Sequence, residues 1–310
     1  MRVLFLDSVH EILQQELEAN GFVCDHDYAS SYADIKSKIA SYDGIVIRSR
    51  IPIDRGLLAA GMLKFVARSG AGLENIDLAA ANELGTQIFS SPEGNMDAVA
   101  EHAIGMLLML MNHLKRADAE VRAGVWRRAE NRGTEVKGKT VGIIGYGHMG
   151  SAFAQRLSGF GCKIIAHDKY KHGFGNEQVE EVSKAELLER SDIISLHLPL
   201  SLETHHYIDR SFILAAGKPF ILINTARGLH VDIAALLDGL ESGKVVGACL
   251  DVLEFEKSSF ESIDTDHATL FQQLIARADV VLSPHIAGWT HESYVKLSSF
   301  LAKKIVAQFG

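Results

Sequence analysis

The stretch Val141-Gly142-Ile143-Ile144-Gly145-Tyr146-Gly147-His148-Met149-Gly150 decides the fold. An apolar, β-rich run ends in a G-x-G-x-x-G turn, and a helix-like stretch, Ser151–Leu157, follows at once. In that order Gly145 permits a tight turn, Gly147 lets the backbone approach a pyrophosphate, and Gly150 lets helix and strand pack closely. The helix amino terminus adds unpaired N–H groups and a dipole that favours phosphate. Glycine-rich turns are common, so the motif alone is weak. Here the next strand-like run, Lys163–Ala166, leads into His167-Asp168, and Asp168 lies 18 residues beyond Gly150. A carboxylate at that place accepts hydrogen bonds from a ribose diol and repels the extra phosphate of NADP, so the expected cofactor is NAD.

Working outward, the second half holds six strand-like runs: Thr140–Ile144, Lys163–Ala166, Ile193–Leu198, Phe220–Ile223, Val245–Leu250 and Val280–Leu282. With helices between them they match a doubly wound nucleotide-binding sheet. The first half repeats the alternation, with strand-like runs at Val3–Leu6, Phe22–Cys24, Gly44–Ile47, Lys64–Ala67 and Thr86–Phe89. That predicts a second parallel α/β sheet. Met96–Lys115 reads as one long, mostly buried helix joining the two, with Asn95 as its cap. After Pro284 a final helical run carries Tyr294, Leu297, Leu301 and Ile305 at three- or four-residue spacing, and is expected to pack on the first domain.

Composition removes several function classes. The 310 residues carry a net charge of −8, which disfavours nucleic acid or an anionic membrane as a partner. Cys24, Cys162 and Cys249 lack C-x-x-C spacing, which fits a reducing compartment and no zinc ribbon. The longest apolar run, Ile104–Met111, is far too short to span a bilayer, so the expected location is cytoplasmic. No nucleophile elbow, metal-spaced His/Cys cluster or Walker loop is present, and no metal is expected. Three polar residues instead follow strand-like runs of the second half: Arg227, Glu256 and His285. Ligands bind outside the carboxyl ends of such strands. Taken singly, each also reads as an ordinary surface arginine, loop carboxylate or turn histidine.

Together these blocks resemble the NAD-dependent D-2-hydroxyacid dehydrogenase family, which includes D-3-phosphoglycerate dehydrogenases and glyoxylate/hydroxypyruvate reductases. The resemblance runs over nearly the whole chain. It includes Arg48-Ser49-Arg50, Ser69–Asp77, Val99-Ala100-Glu101-His102, Gly124-Val125-Trp126, the glycine loop, His197-Leu198-Pro199, Asn224–Gly228 and Pro284–Gly288. Arg227, Glu256 and His285 occur in the family's order, each 29 residues from the next. The resemblance implies a Rossmann-type NAD-binding domain, residues 96–285, inserted into a flavodoxin-like substrate domain, residues 1–95 completed by 286–310. It implies His285 as general acid/base, Glu256 as its partner, and Arg227 as the clamp on the substrate carboxylate. Ala71 and Gly72 would supply a backbone cradle for that carboxylate. Asp251 would orient the nicotinamide amide. The glycine loop with His148 and Met149, and Thr204, Thr225 and Ala226, would line the cofactor.

Arg48 and Arg50 match positions where phosphoglycerate enzymes hold phosphate, so a phosphoglycerate-like substrate is the first expectation. A glyoxylate/hydroxypyruvate reductase, or a nonenzymatic NAD-responsive binding protein on the same fold, is the alternative. A homodimer is expected through the 96–126 region, and at this length no appended regulatory domain is expected. The sequence departs from the family at Lys257, where proline is usual, and in the longer, polar Ser258–Ala278. Glu254 is a rival to Glu256 as the partner of His285. Trp289 and His291 read equally as pocket-shaping or helix-start residues.

Overall fold

In the computed structural model, which describes residues 1–256 and 268–310, every pairing between strands is parallel. The departure expected at Lys257, and residues 258–267 of the longer segment 258–278, lie outside the described residues. The chain divides into one unit of Met1–Asn95 with Trp289–Gly310 and a second of Met96–Gly288. The return to the first unit falls at Trp289, three residues later than the expected 286.

In the first unit β1 (Arg2–Phe5), β2 (Val23–His26), β3 (Gly44–Ile47), β4 (Phe65–Arg68) and β5 (Gln87–Ser90) lie in the order β2-β1-β3-β4-β5. This is the flavodoxin-like order. Helices α1 (Ile12–Ala19), α2 (Tyr32–Lys38), α3 (Arg55–Leu58) and α4 (Leu78–Glu83) connect them. Side chains of β1 alternate between the faces: Val3 and Phe5 join Leu13, Leu17, Leu301 and Ile305, while Leu4 joins Ile35, Ile45 and Val66. All four residues of β3 are buried, as expected for a parallel strand covered on both sides.

The second unit begins with α5 (Met96–Met111) and α6 (Leu114–Arg122). The single helix expected over 96–115 is thus two, and the break has a tertiary cause. The last carbonyl of α5, on Met111, accepts from Thr134 N at 2.9 Å, and His113 turns left-handed at φ 53°. Nor does the Asn95 side-chain oxygen cap α5; it is buried with no hydrogen-bond partner among the described residues. Next come β6 (Thr140–Ile144), α7 (His148–Leu157), β7 (Lys163–His167), β8 (Val179–Glu181), α8 (Lys184–Arg190) and β9 (Ile193–Leu196). They are followed by α9 (Arg210–Ala215), β10 (Phe220–Asn224), α10 (Ile233–Glu241), β11 (Val245–Leu250), α11 (Ala268–Ile275) and β12 (Val280–Leu282). The strand order is β12-β11-β10-β9-β6-β7-β8, the doubly wound dinucleotide-binding order with one added edge strand. β8 is the strand the six-strand reading lacked; only three residues long, two of them glutamates, it carries no apolar run.

The chain closes in the first unit with α12 (His291–Phe309), started by a reciprocal Thr290–Ser293 capping box. Leu297, Leu301 and Ile305 form its buried stripe, as their spacing predicts, and α12 packs along α1.

Candidate active site

At the carboxyl end of β6 each motif glycine meets a different steric demand. Gly145 has φ 91°, and a Cβ there would lie 2.5 Å from the His197 carbonyl. A Cβ on Gly150 would lie 2.0 Å from the Gly145 carbonyl, so only glycine lets α7 approach. A Cβ on Gly147 would meet nothing within 4 Å, which leaves the room a pyrophosphate needs. Gly147 also offers no side chain to cap α7, so the first N–H groups of that helix remain for an anion. His148 is exposed and Met149 half-buried at this end.

Asp168 clips the loop to β7. One carboxylate oxygen accepts from Tyr146 N at 2.8 Å, and the other from Tyr170 N at 2.9 Å and Lys171 N at 3.0 Å. Burial works to raise its pKa, but these three N–H donors outweigh burial and hold it below the usual carboxylate value. An ionised carboxylate has about four acceptor positions, so capacity remains for a ribose hydroxyl. Past β10, the Thr225 hydroxyl is buried with no partner among the described residues, so a bound cofactor group would give it one. Ala226 N is held by the Asn224 side chain at 3.0 Å. Thr204 is occupied differently: its hydroxyl donates to Pro199 O at 2.8 Å and accepts from Ser201 N at 2.8 Å, closing its own turn. The cradle fits a dinucleotide.

β10, β11 and β12 are neighbours in register at Asn224, Leu250 and Leu282, so the loops after them leave one sheet edge together. From the first, Arg227 is positioned by Asn224, whose amide donates to Arg227 O at 2.8 Å. From the second, Glu256 places one carboxylate oxygen 2.7 Å from His285 Nδ1 and accepts Leu253 N on the other at 2.5 Å. His285, on the third loop, holds φ 55°. Three bonds from Asp251 stabilise that sparsely populated backbone. Asp251 O accepts His285 N at 2.7 Å, and its carboxylate accepts Ile286 N at 2.9 Å and Ala287 N at 2.8 Å. Ser283 Oγ adds a fourth at 2.5 Å, and His102 Nε2 lies 2.8 Å from that hydroxyl. Asp251, 1% exposed, is therefore the anchor of the His285 loop, a role its expected contact with nicotinamide did not suggest.

In the first unit Arg48 and Arg50 leave β3 with different surroundings. Arg50 donates to Leu6 O, Ser30 O and Asp27 O, each at 2.8 Å. The Arg48 guanidinium lies 4.2 Å over the Trp289 ring, while its backbone N–H is held by Asp7 at 2.5 Å. Ala71 and Gly72 follow the turn after β4, where Gly70 O accepts Ser91 N at 3.0 Å. His291 begins α12 and is exposed.

Residues 104–287 match the family described as "D-isomer specific 2-hydroxyacid dehydrogenase, NAD binding domain". The chain belongs to that family. This dehydrogenase is an NAD-dependent oxidoreductase that interconverts a D-2-hydroxy acid and its 2-keto acid. It is 37% identical over 273 residues to a hydroxypyruvate reductase of Thermotoga maritima, covering 88% of this chain and 86% of that one. It is 37% identical over 266 residues to a D-3-phosphoglycerate dehydrogenase of Mycobacterium tuberculosis, covering 85% of this chain. That match spans only 48% of the mycobacterial protein, about half its length. Among solved structures, a D-2-hydroxyisocaproate dehydrogenase superposes with TM-score 0.84 at 28% identity, covering 100% of this chain and 96% of the other. A glyoxylate reductase from Paecilomyes thermophila gives 0.86 at 27%, covering 99% and 96%.

Two members of the dehydrogenase's polar network carried no assigned role in the sequence reading. His102 stood only as part of a family block, and Ser283 was not singled out. Their contact with Asp251 joins positions 149 and 32 residues apart, and no local pattern announces it.

Proposed function

We propose that this dehydrogenase reduces a short 2-keto acid of the hydroxypyruvate–glyoxylate class, with Arg227, Glu256 and His285 as its chemical groups. The 2.7 Å Glu256–His285 pair on a loop anchored by Asp251 carries the reading. Glu256 occupies the Nδ1 side of the ring and orients it, so that proton exchange with substrate falls to Nε2 of the imidazolium. In reduction that imidazolium protonates the carbonyl oxygen as it becomes an alkoxide, and the neutral ring takes the proton back in oxidation. Arg227 supplies a planar fork of donors for the substrate carboxylate. Bound NADH supplies the hydride that the carbonyl carbon receives.

Arg50 favours an unphosphorylated substrate. Three of the five N–H donors of its guanidinium already go to backbone carbonyls, which leaves at most two for a phosphate. A phosphoglycerate-type substrate is the second reading, favoured by Arg48 beside Trp289 at the end of β3. A panel of glyoxylate, hydroxypyruvate and phosphohydroxypyruvate, read by NADH absorbance, separates the two. We expect the unphosphorylated acids to have the higher kcat/KM and His285→Gln to lower it by about a thousandfold. A higher kcat/KM for the phosphorylated acid supports the second reading, and full activity in His285→Gln removes the mechanism.

We further propose a cytoplasmic homodimer. Leu114, Val121 and Trp126 are 52%, 53% and 82% exposed on and just after α6, an apolar surface suited to a second copy. Sedimentation at micromolar concentration should give twice the 33.9 kDa chain mass, and a monomer would contradict it.

A further inference from the structure

The loop after β11 carries two carboxylates, Glu254 and Glu256, and the structure divides them. Glu256 faces His285, whereas Glu254 places one oxygen 2.8 Å from His206 Nε2 and accepts Ile233 N, at the start of α10, on the other at 3.1 Å. His206 lies in the loop between β9 and α9 and holds φ 47°, a left-handed backbone that strains a histidine and costs a glycine almost nothing. A histidine kept there needs a reason in its side chain. Its backbone supplies a second link, because His206 N donates to Leu229 O at 2.7 Å, two residues past Arg227. The loops of Arg227 and Glu256 also touch directly. A Cβ on Gly228 would fall 1.9 Å from the Leu253 carbonyl, so the two backbones are in closest packing there.

We propose that His206 and Glu254 are a positioning pair: by binding each other they hold the Arg227 and Glu256 loops in one register and leave Glu256 as the carboxylate that addresses His285. The proposal rests on the reading of Arg227, Glu256 and His285 given above. Neither His206 nor Glu254 is assigned contact with substrate. Their effect is on the geometry of groups that are, and small displacements of such groups are costly to rate.

The test is single-turnover hydride transfer, with enzyme and NADH premixed and glyoxylate or hydroxypyruvate added, together with steady-state KM and Tm. His206→Gly relieves the backbone strain and removes the side-chain bond. We expect it to slow hydride transfer about tenfold, to change KM by less than about threefold, and to leave Tm equal or higher. His206→Gln keeps an N–H donor of similar reach and should recover most of the rate. Glu254→Ala should match His206→Gly, and the double variant should be no slower than either single one.

A wild-type rate in His206→Gly, or a His206→Gln no faster than His206→Gly, overturns the proposal. Should His206→Gly fail to fold, Glu254→Ala carries the same readout, and a wild-type rate there is equally decisive. His285→Gln separates the two layers. If it retains activity the underlying mechanism fails; if it is inactive while His206→Gly and Glu254→Ala are fast, only the positioning pair fails.

Discussion

At the carboxyl edge of the five-stranded sheet, Arg50 donates to three backbone carbonyls and Asp7 accepts the Arg48 N–H. At the same edge of the seven-stranded sheet a carboxylate meets an imidazole, and a buried threonine hydroxyl has no partner among the described residues. Both edges are ends of parallel strands in doubly wound order, where ligands are expected. The difference lies in what the polar atoms are already doing. A guanidinium with three donors on its own backbone is a structural brace, whereas a carboxylate–imidazole contact and a buried hydroxyl without a partner are what the proposed chemistry and cofactor would use.

The strongest way to break this comparison is to remove one brace from each edge. Asp251→Ala strips the acceptor from Ser283 Oγ, Ile286 N and Ala287 N in the second unit. It should cost about 3 kcal/mol in denaturant stability and at least about a hundredfold in kcat, because the His285 loop loses its anchor. Arg50→Met releases three carbonyls in the first unit and should cost about 1–2 kcal/mol, with kcat/KM for glyoxylate within about threefold of wild type. If Arg50→Met loses activity on the scale of Asp251→Ala, Arg50 belongs to the chemistry and the contrast collapses.

How much was legible in the sequence follows the same division between local and distant causes. The β6–α7 turn and Asp168 were readable because the demands on Gly145, Gly150 and the acid are met within one strand-turn-helix-strand unit. Gly44–Ile47, Thr140–Ile144, Val245–Leu250 and Val280–Leu282 have the bounds their apolar runs suggest, since buried parallel strands write themselves as continuous runs. The break between α5 and α6 was not readable, because no proline or glycine marks it and Thr134 makes it from outside the helix. Likewise Glu254 stood as a rival to Glu256, and their distant partners, His206 for Glu254, 48 residues away, and His285 for Glu256, tell them apart. The brace role of Arg50 was hidden for the same reason, its acceptors being Leu6, Asp27 and Ser30.

The two units should also differ in their response to acid. In the first, the Lys38 ammonium and the Ser30 N–H hold the Asp27 carboxyl far below the usual carboxylate range. Its contribution to stability is present above the unfolded pKa of about 3.9 and is lost only as pH falls below that value. In the second, burial pushes His197 down to about 3; its ring packs 5.2 Å from Phe153 with Nε2 2.9 Å from Ser195 Oγ. An unfolded histidine binds its proton near pH 6.5, so between about 6.5 and 3 the unfolded state holds a proton the folded state refuses. Stability from the neutral ring is thus complete above 6.5 and declines as pH falls toward 3, at a limiting slope of about 1.4 kcal/mol per pH unit. The second unit should weaken first, well before Asp27 takes up a proton. Denaturant titrations from pH 7 to 4.5 should show His197→Gln, which keeps a side-chain amide for Ser195, losing less stability over that interval than wild type. Parallel losses in the two proteins would mean that His197 takes up its proton in the folded state, and that acid sensitivity does not distinguish the two edges.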